Sequence, residues 1–165
     1  MTLAEAAAEG AALADRGAER ELAQLRSEWD EELEAGARSA DFRERVVAYR
    51  AVGQFRFRQK LELLRRGLDD ESPACRGSAL LSLELLSRDA PGPVNSVRPL
   101  LHELATHDPN DAVRRLAVMS LKNGSPQAAT IQILQSLGED EGQPRELRDA
   151  AAKVGVLLKK KTRAR

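Results

Sequence analysis

Two histidines and one cysteine are the residues of this chain whose side chains could do nucleophilic or metal chemistry. His102 and His107 lie five positions apart, and Cys75 is the only thiol in the sequence. A zinc site takes about four ligands, so the two histidines would have to recruit carboxylates. They fall at the predicted end of a helix and in the following turn, where an imidazole commonly faces water. We therefore predict no catalytic residue, no metal site and no cofactor, and we do not expect an enzyme.

Contact with nucleic acid is a second kind of chemistry, suggested by cations interleaved with aromatic rings in residues 55–60. Aromatic rings can stack on bases while cations meet phosphates. Phe57, however, lies in helical phase with the leucines of residues 61–68, which favours a core position and leaves the cations as a solvated face. The cations of this alternative are Arg56, Arg58, Lys60, Arg65, Arg66, Lys159, Lys160, Lys161, Arg163 and Arg165.

The composition limits the class of protein. The chain has 165 residues, of which 42% are hydrophobic, enough for the core of one domain. No apolar run approaches the length of a membrane span, and no secretory signal is visible at the N-terminus. A single cysteine excludes an internal disulfide, so we expect a cytoplasmic protein in a reducing compartment.

The elements that position these residues are indicated by a recurrent arginine. Arg45, Arg76, Arg114 and Arg148 each precede an alanine by three positions, at intervals of 31, 38 and 34 residues. Such intervals are typical of helical-repeat arrays. Apolar stripes at helical spacing flank each arginine, so each unit is predicted to be a helix hairpin. The predicted turns lie at Gly53, at Pro91-Gly92-Pro93, and at residues 123–126, where Ser125 is expected to cap the next helix.

These residues carry a resemblance to a known family. The pattern Asp70-x5-Arg76-x2-Ala79-x3-Leu83 and its copy Asp108-x4-Val113-Arg114-x2-Ala117-x3-Leu121 resemble HEAT repeats, in particular the short bacterial HEAT-like repeats. The resemblance covers about residues 41–158. It implies an all-α fold, a short α-solenoid of HEAT-like helix hairpins. It also implies that the recurrent arginines pair with turn aspartates of neighbouring units, for which Asp70, Asp108 and Asp140 are placed.

The first 38 residues form a separate, acidic segment with four basic and ten acidic side chains. Thr2 and Glu5 form a capping box, which predicts a helix start. One long helix, or two with a bend near Gly17, would cover the first repeat as an N-terminal capping helix; partial disorder of about the first 15 residues is the alternative. We thus divide the chain into a segment 1–38, a repeat domain 39–158 of about 3.5 repeats, and a basic tail 159–165.

The functional prediction is a non-enzymatic interaction module, scaffold or adaptor. Stacked repeats create a concave face, and the resemblance implies that the second helices line it. The candidate partner-binding residues on those helices are Arg58, Glu62, Arg65, His102, Gln132 and Gln135. The partner is expected to be another protein. Nucleic-acid binding, expected to be weak, and a chaperone-like or lyase-type subunit are the alternatives.

The fourth unit is predicted to have one helix only, with Leu147, Val154 and Leu158 on its apolar side. These side chains either cap the core or leave apolar surface for a partner or a second copy. We favour capping, and hence a monomer.

Overall fold

The computed structural model describes residues 1–164 and is all-α over that range, as predicted. Within it lie ten α-helices and a single turn of 3₁₀-helix at Arg58–Lys60. The α-helices are α1 (Leu3–Asp15), α2 (Glu19–Ala37), α3 (Phe42–Gln54), α4 (Leu61–Leu68), α5 (Pro73–Ser87), α6 (Gly92–Ser96), α7 (Arg98–His107), α8 (Asp111–Leu121), α9 (Ala128–Glu139) and α10 (Arg145–Arg163). Among the described residues, no helix has the length and apolar character that a membrane crossing requires.

The helices group into two compact units, an N-terminal unit (Met1–Leu86) and a C-terminal unit that starts at Ser87. This grouping differs from the division into segments 1–38, 39–158 and 159–165, because the first two helices belong to the same unit as α3 to α5.

The N-terminal unit begins with the predicted cap. The Thr2 hydroxyl accepts from the Glu5 N–H, and the Glu5 carboxylate accepts from the Thr2 N–H, so the capping box is confirmed. Gly17, at φ 69°, ends α1 and allows the sharp turn into α2. The structure therefore has two helices here, and α1 packs on both α2 and α3.

Small residues bring α3 and α5 unusually close. Gly53 is buried, its N–H donates to the Ser82 hydroxyl at 3.0 Å, and a Cβ at this position would lie 2.5 Å from the Ser82 Cα. The sequence-based placement of Gly53 in a turn is therefore wrong: α3 continues to Gln54, and the glycine serves helix contact. Gly67 of α4 has the same role against Ala79, which is fully buried.

Arg45 joins α3 to the turns on either side of it. Its Nε and Nη2 donate to the Asp70 carboxylate at 2.9 and 3.1 Å, and its Nη1 donates to the carbonyls of Ser39 and Ala40. The pair is nearly buried, with 12% and 8% of the two side chains exposed. Burial alone would raise the pKa of Asp70, but the hydrogen bonds from Arg45 and from the Ser72 N–H outweigh it and hold that pKa below its usual value.

The predicted pairing of a recurrent arginine with a turn aspartate is confirmed for Arg45 and Asp70. The arrangement at Arg114 is different. Arg114 is buried, and its Nε donates to the Ala105 carbonyl at 3.0 Å. Asp140, the predicted partner, accepts instead from the Gly142 N–H and the Gln143 amide of its own turn. Hydrogen-bond donors of its own turn thus bind the Asp140 carboxylate, which the family resemblance placed beside a recurrent arginine.

In the C-terminal unit the predicted turn at residues 123–126 is present, because α8 ends at Leu121 and α9 begins at Ala128. Two other predictions are wrong. Residues 91–93 do not form an open loop, because Pro91 is the N-cap of the short helix α6 and Pro93 lies in its first turn, where proline is well tolerated. Ser125 does not cap α9, which begins at Ala128 after Gln127. Ser125 is held by Asn95, whose side-chain oxygen accepts from the Ser125 N–H at 2.9 Å.

α10 closes the C-terminal unit by packing on α8 and α9. Leu147, Val154 and Leu158 are buried, so the predicted capping of the core is confirmed. The helix does not end at Leu158 but runs to Arg163, and the residues predicted as a basic tail are helical through that position. Lysine is a good helix former, and cations near a helix C-terminus interact favourably with its dipole. Arg165 lies outside the described residues.

Replacing Gly53 with alanine tests the contact between α3 and α5. The added Cβ would meet Ser82 backbone at 2.5 Å, so we expect the free energy of unfolding to fall by about 1–3 kcal/mol despite the better helix propensity of alanine. Urea unfolding followed by circular dichroism measures it. Gly92→Ala is the control, because nothing lies within 4 Å of its Cβ and its stability should stay equal or rise.

Replacing Asp70 with asparagine tests the buried ion pair. The change leaves the Arg45 guanidinium buried without its counter-ion, and we expect a loss of about 3 kcal/mol at pH 7. Because the folded-state pKa of Asp70 is lowered, the gap between wild type and variant should shrink as pH falls below about 4. Asp69→Asn, at the exposed neighbouring residue, should leave the unfolding midpoint unchanged. An equal effect of the two substitutions would contradict this role of Asp70.

Candidate protein-binding surfaces

The N-terminal unit presents one predicted surface on α4 and the 3₁₀ turn before it. Arg58, Glu62 and Arg65 are all exposed, and their spacing places them on one side of this segment. The opposite side of α4, with Leu63, Leu64, Gly67 and Leu68, is buried. The buried side fixes the helix, and the exposed side is left for recognition. We call the exposed side, together with the adjacent Arg66, the α4 face.

Two predicted cations near the α4 face are not available to a partner. The Lys60 ammonium lies 2.6 Å from Asp30 and 2.7 Å from Glu34, over the ring of Phe57. Arg56 donates to the Gly53 carbonyl at 2.8 Å and lies 3.6 Å from Asp15.

Neither aromatic ring of the same segment is available for stacking on bases. Phe57 is buried, which confirms its predicted core position, and Phe55 is fully buried as well. Phe55 lies so close to Gly10 of α1 that a Cβ there would meet its ring at 2.5 Å. The two aromatic side chains of this stretch are therefore core residues, and the cations between them lie at the edge of the core.

The C-terminal unit presents two grooves on either side of α9. Gln132 is exposed and lines a groove of about 380 Å³ with Thr106, Ile133 and Asp140. Gln135 is also exposed and lines a groove of about 210 Å³ between α9 and α10. The two glutamines, predicted as neighbours on one face, thus belong to different depressions.

A polar cluster around two buried residues, Arg98 and Thr130, joins α7 to α9. Arg98 is 95% buried, and its Nη1 donates to the Thr130 hydroxyl at 2.9 Å while its Nη2 donates to the Ser125 carbonyl at 2.7 Å. Asn95 accepts from the same guanidinium, and the Nε2 of His102 lies 2.8 Å from the Thr130 hydroxyl. We call these five residues the α7–α9 polar cluster.

His102 is therefore a residue of this cluster and not an open side chain of a binding face. It is half-buried, and burial together with the charge of Arg98 lowers the pKa of its imidazole. The neutral ring suits the site, since a protonated ring would place a second cation beside the guanidinium. The predicted contribution of His102 to binding is then indirect, through the position of α9.

Arg98 is the residue that the sequence analysis missed. Its Nε is buried without a hydrogen-bond partner, and no salt bridge to a carboxylate joins it among residues 1–164. Asn95 is a local partner, but the other two partners lie far along the chain: Ser125, 27 positions away in the turn before α9, and Thr130, 32 positions away in the first turn of α9. The one sequence signal is its place at the start of α7 in an apolar helix side shared with Leu101 and Ala105.

The remaining candidate chemical groups are structural or isolated. Cys75 is fully buried, and burial raises the pKa of its thiol. His107 is exposed, with its Nδ1 3.5 Å from the Glu103 carboxylate. In the described part of the chain, no group of three or more histidine, cysteine or acidic side chains could hold a metal ion.

Paired helices packed through small residues, with polar side chains on exposed helix faces, define a helical-repeat protein. The sequence model of the family described as HEAT repeats matches residues 31–122, more than half of the chain. The chain therefore belongs to the HEAT repeat family, as the recurrent arginine pattern predicted. No curated protein matches the sequence significantly.

The half-buried His102 gives a prediction about pH. Its folded-state pKa lies below the usual 6.5, so the unfolded chain binds its proton first and stability is lost as pH falls below about 6.5. His102→Gln keeps a hydrogen bond to Thr130 without a titrating group. We expect this variant to lose less stability than wild type between pH about 7.5 and about 5.5.

Urea midpoints at the two pH values measure the effect. His107→Gln is the matched control, because His107 is exposed on the same helix, and it should retain the wild-type pH dependence. If both substitutions flatten the pH dependence equally, the α7–α9 polar cluster is not its source.

Proposed function

We propose that this HEAT-repeat protein is a non-enzymatic scaffold or adaptor that binds another protein, and that the α4 face is its principal contact in the N-terminal unit. HEAT repeats are generally protein-interaction scaffolds. The observation that carries the proposal is the contrast between two sets of arginines in this unit. Arg26 and Arg45 are bonded to backbone carbonyls and carboxylates, whereas Arg58, Arg65 and Arg66 have no such bond among the described residues.

Exposed and unpaired guanidinium groups favour a partner with carboxylates. A guanidinium presents a planar fork that binds a carboxylate through two parallel hydrogen bonds, and arginine is enriched in the energetically important part of interfaces. Arg58 lies on the 3₁₀ turn before α4 and Arg65 lies on α4, so together they suit an acidic segment that runs along this part of the chain. Glu62 lies between them and would select against a partner of uniform negative charge.

Gln132 and Gln135 provide a second, uncharged contact in the C-terminal unit. Each amide can donate and accept, so each groove beside α9 suits a polar side chain or exposed backbone of a partner. We propose this contact separately from the α4 face. Single substitutions at each glutamine distinguish the two grooves.

Nucleic-acid binding is the second candidate, and the free cations of the α4 face together with Lys159, Lys160 and Arg163 are what favours it. Two observations argue against it. The aromatic rings that would stack on bases are buried, and ten acidic side chains in residues 1–38 repel a polyanion.

The main test is a comparison of two double charge reversals in affinity capture with quantitative mass spectrometry. Arg58→Glu with Arg65→Glu should remove the specific protein partner, reducing its recovery at least tenfold, about 1.4 kcal/mol of binding free energy. Arg16→Glu with Arg20→Glu makes the same charge change at exposed positions outside the α4 face and should retain the partner. If the control also loses the partner, the α4 face is not the contact.

Fluorescence anisotropy with labelled duplex and single strand decides between the two functions. We expect dissociation constants no tighter than about 10⁻⁶ M near 150 mM salt, with strong weakening as salt rises. Nanomolar binding at that salt concentration would make the nucleic-acid function the better one.

A further inference from the structure

The outer side of α10 carries apolar side chains that nothing covers. Val156 is 53% exposed and Leu157 is 39% exposed, although both lie in the interior of a well-formed helix. Lys153 precedes this pair and Lys160 follows it, and both ammonium groups are exposed without a hydrogen-bond partner among residues 1–164. The result is an apolar strip with a cation at either end, which we call the α10 strip.

The N-terminal unit has an uncovered groove of opposite charge. The start of α1, the end of α2 and the start of α3 enclose about 720 Å³. Leu3 and Val47 contribute its apolar lining, and Glu32 and Glu44 contribute carboxylates. Arg43 also lines the depression, and its guanidinium donates to the Asp41 carboxylate. Both glutamates are exposed. We call this depression the N-terminal groove.

The two surfaces match in chemistry. An amphipathic helix binds a groove by placing its apolar side chains on the floor and its charges against the rim. Ala35 is exposed, and its small side chain leaves room for a helix to approach α2. The sequence around each surface carries matching charge. Residues 1–38, which contain part of the groove, hold ten acidic and four basic side chains, and residues 141–165, which contain the strip, hold eight basic and three acidic ones.

We propose that the α10 strip of one copy of this chain docks in the N-terminal groove of a second copy. Val156 and Leu157 cover Leu3 and Val47, while Lys153 and Lys160 meet Glu32 and Glu44. The contact joins two different surfaces, so the copy whose strip is bound still offers a free groove, and the copy whose groove is bound still offers a free strip. Such a heterologous contact can add further copies, which gives rings where the rotation between copies closes and open chains where it does not.

This inference replaces the sequence-based prediction of a monomer with concentration-dependent self-association. It is independent of the contact proposed for the α4 face, which takes no part in it, but it shares Val156 with the groove beside Gln135. Two exposed apolar side chains and two ion pairs make a small interface, so we expect dissociation constants in the micromolar range.

Sedimentation and light scattering of the full chain between about 5 and about 500 μM give the first measurement. The mean mass of wild type should rise with concentration, and the rise should weaken as salt screens the ion pairs. Glu32→Lys with Glu44→Lys blocks the groove, and Lys153→Glu with Lys160→Glu blocks the strip. Each double variant should raise the dissociation constant at least tenfold. Glu9→Lys with Glu21→Lys, a control on exposed acids outside the groove, should associate as wild type does.

Mixing the two blocked variants is the decisive experiment. The groove variant keeps an intact strip and the strip variant keeps an intact groove, so the mixture should form a 1:1 complex and no larger species. A variant with all four substitutions restores opposite charges and should self-associate again. A wild type that stays monomeric throughout, a control that loses association, or a mixture without the 1:1 complex would each overturn the proposal.

Discussion

A guanidinium buried at the foot of a helix, bonded to the turns around it, is the interaction on which the N-terminal unit depends. Arg45 donates hydrogen bonds to the carbonyls of Ser39 and Ala40 and to the Asp70 carboxylate. One side chain therefore joins α3 to the turn before it and to the turn that contains Asp70. Arg76 repeats part of this arrangement through the carbonyls of Asp70 and Glu71. Unbonded turn carbonyls next to a packed helix would be costly, and a forked, always charged donor meets several of them at once.

This structural use of arginine explains which cations remain for function. Arginines with carbonyl or carboxylate partners are part of the framework. Those of the α4 face are free, because leucines and Gly67 form the buried side of α4 and no arginine is needed there. A buried framework arginine also has a desolvation cost, as Arg98 shows. Only neutral oxygens bind its guanidinium, no carboxylate does, and burial lowers its pKa. The gain is a fixed position of α9, which shapes the groove beside Gln132.

Close packing through small residues is the second constraint, and it separates what periodicity can predict from what it cannot. The repeated spacing of Ala79 and Ala117 from the recurrent arginine indicates equivalent positions between helices, and both are fully buried. Gly53 was misplaced because glycine is common both in turns and where backbones touch. Only the position of Ser82, 29 residues later, decides between these two uses.

The sequence by itself determined the all-α class, the family, the helix hairpins, the capping box at Thr2 and the core positions of Phe57 and Leu158, since periodicity and local capping are properties of short segments. Tertiary structure decided the partners of long polar side chains. It paired Asp140 with its own turn, turned His102 inward to Thr130, and bonded Lys60 while leaving Arg65 free. The physical reason is that a flexible charged side chain bonds whichever group the fold brings within about 3 Å, and spacing along the chain does not encode that distance.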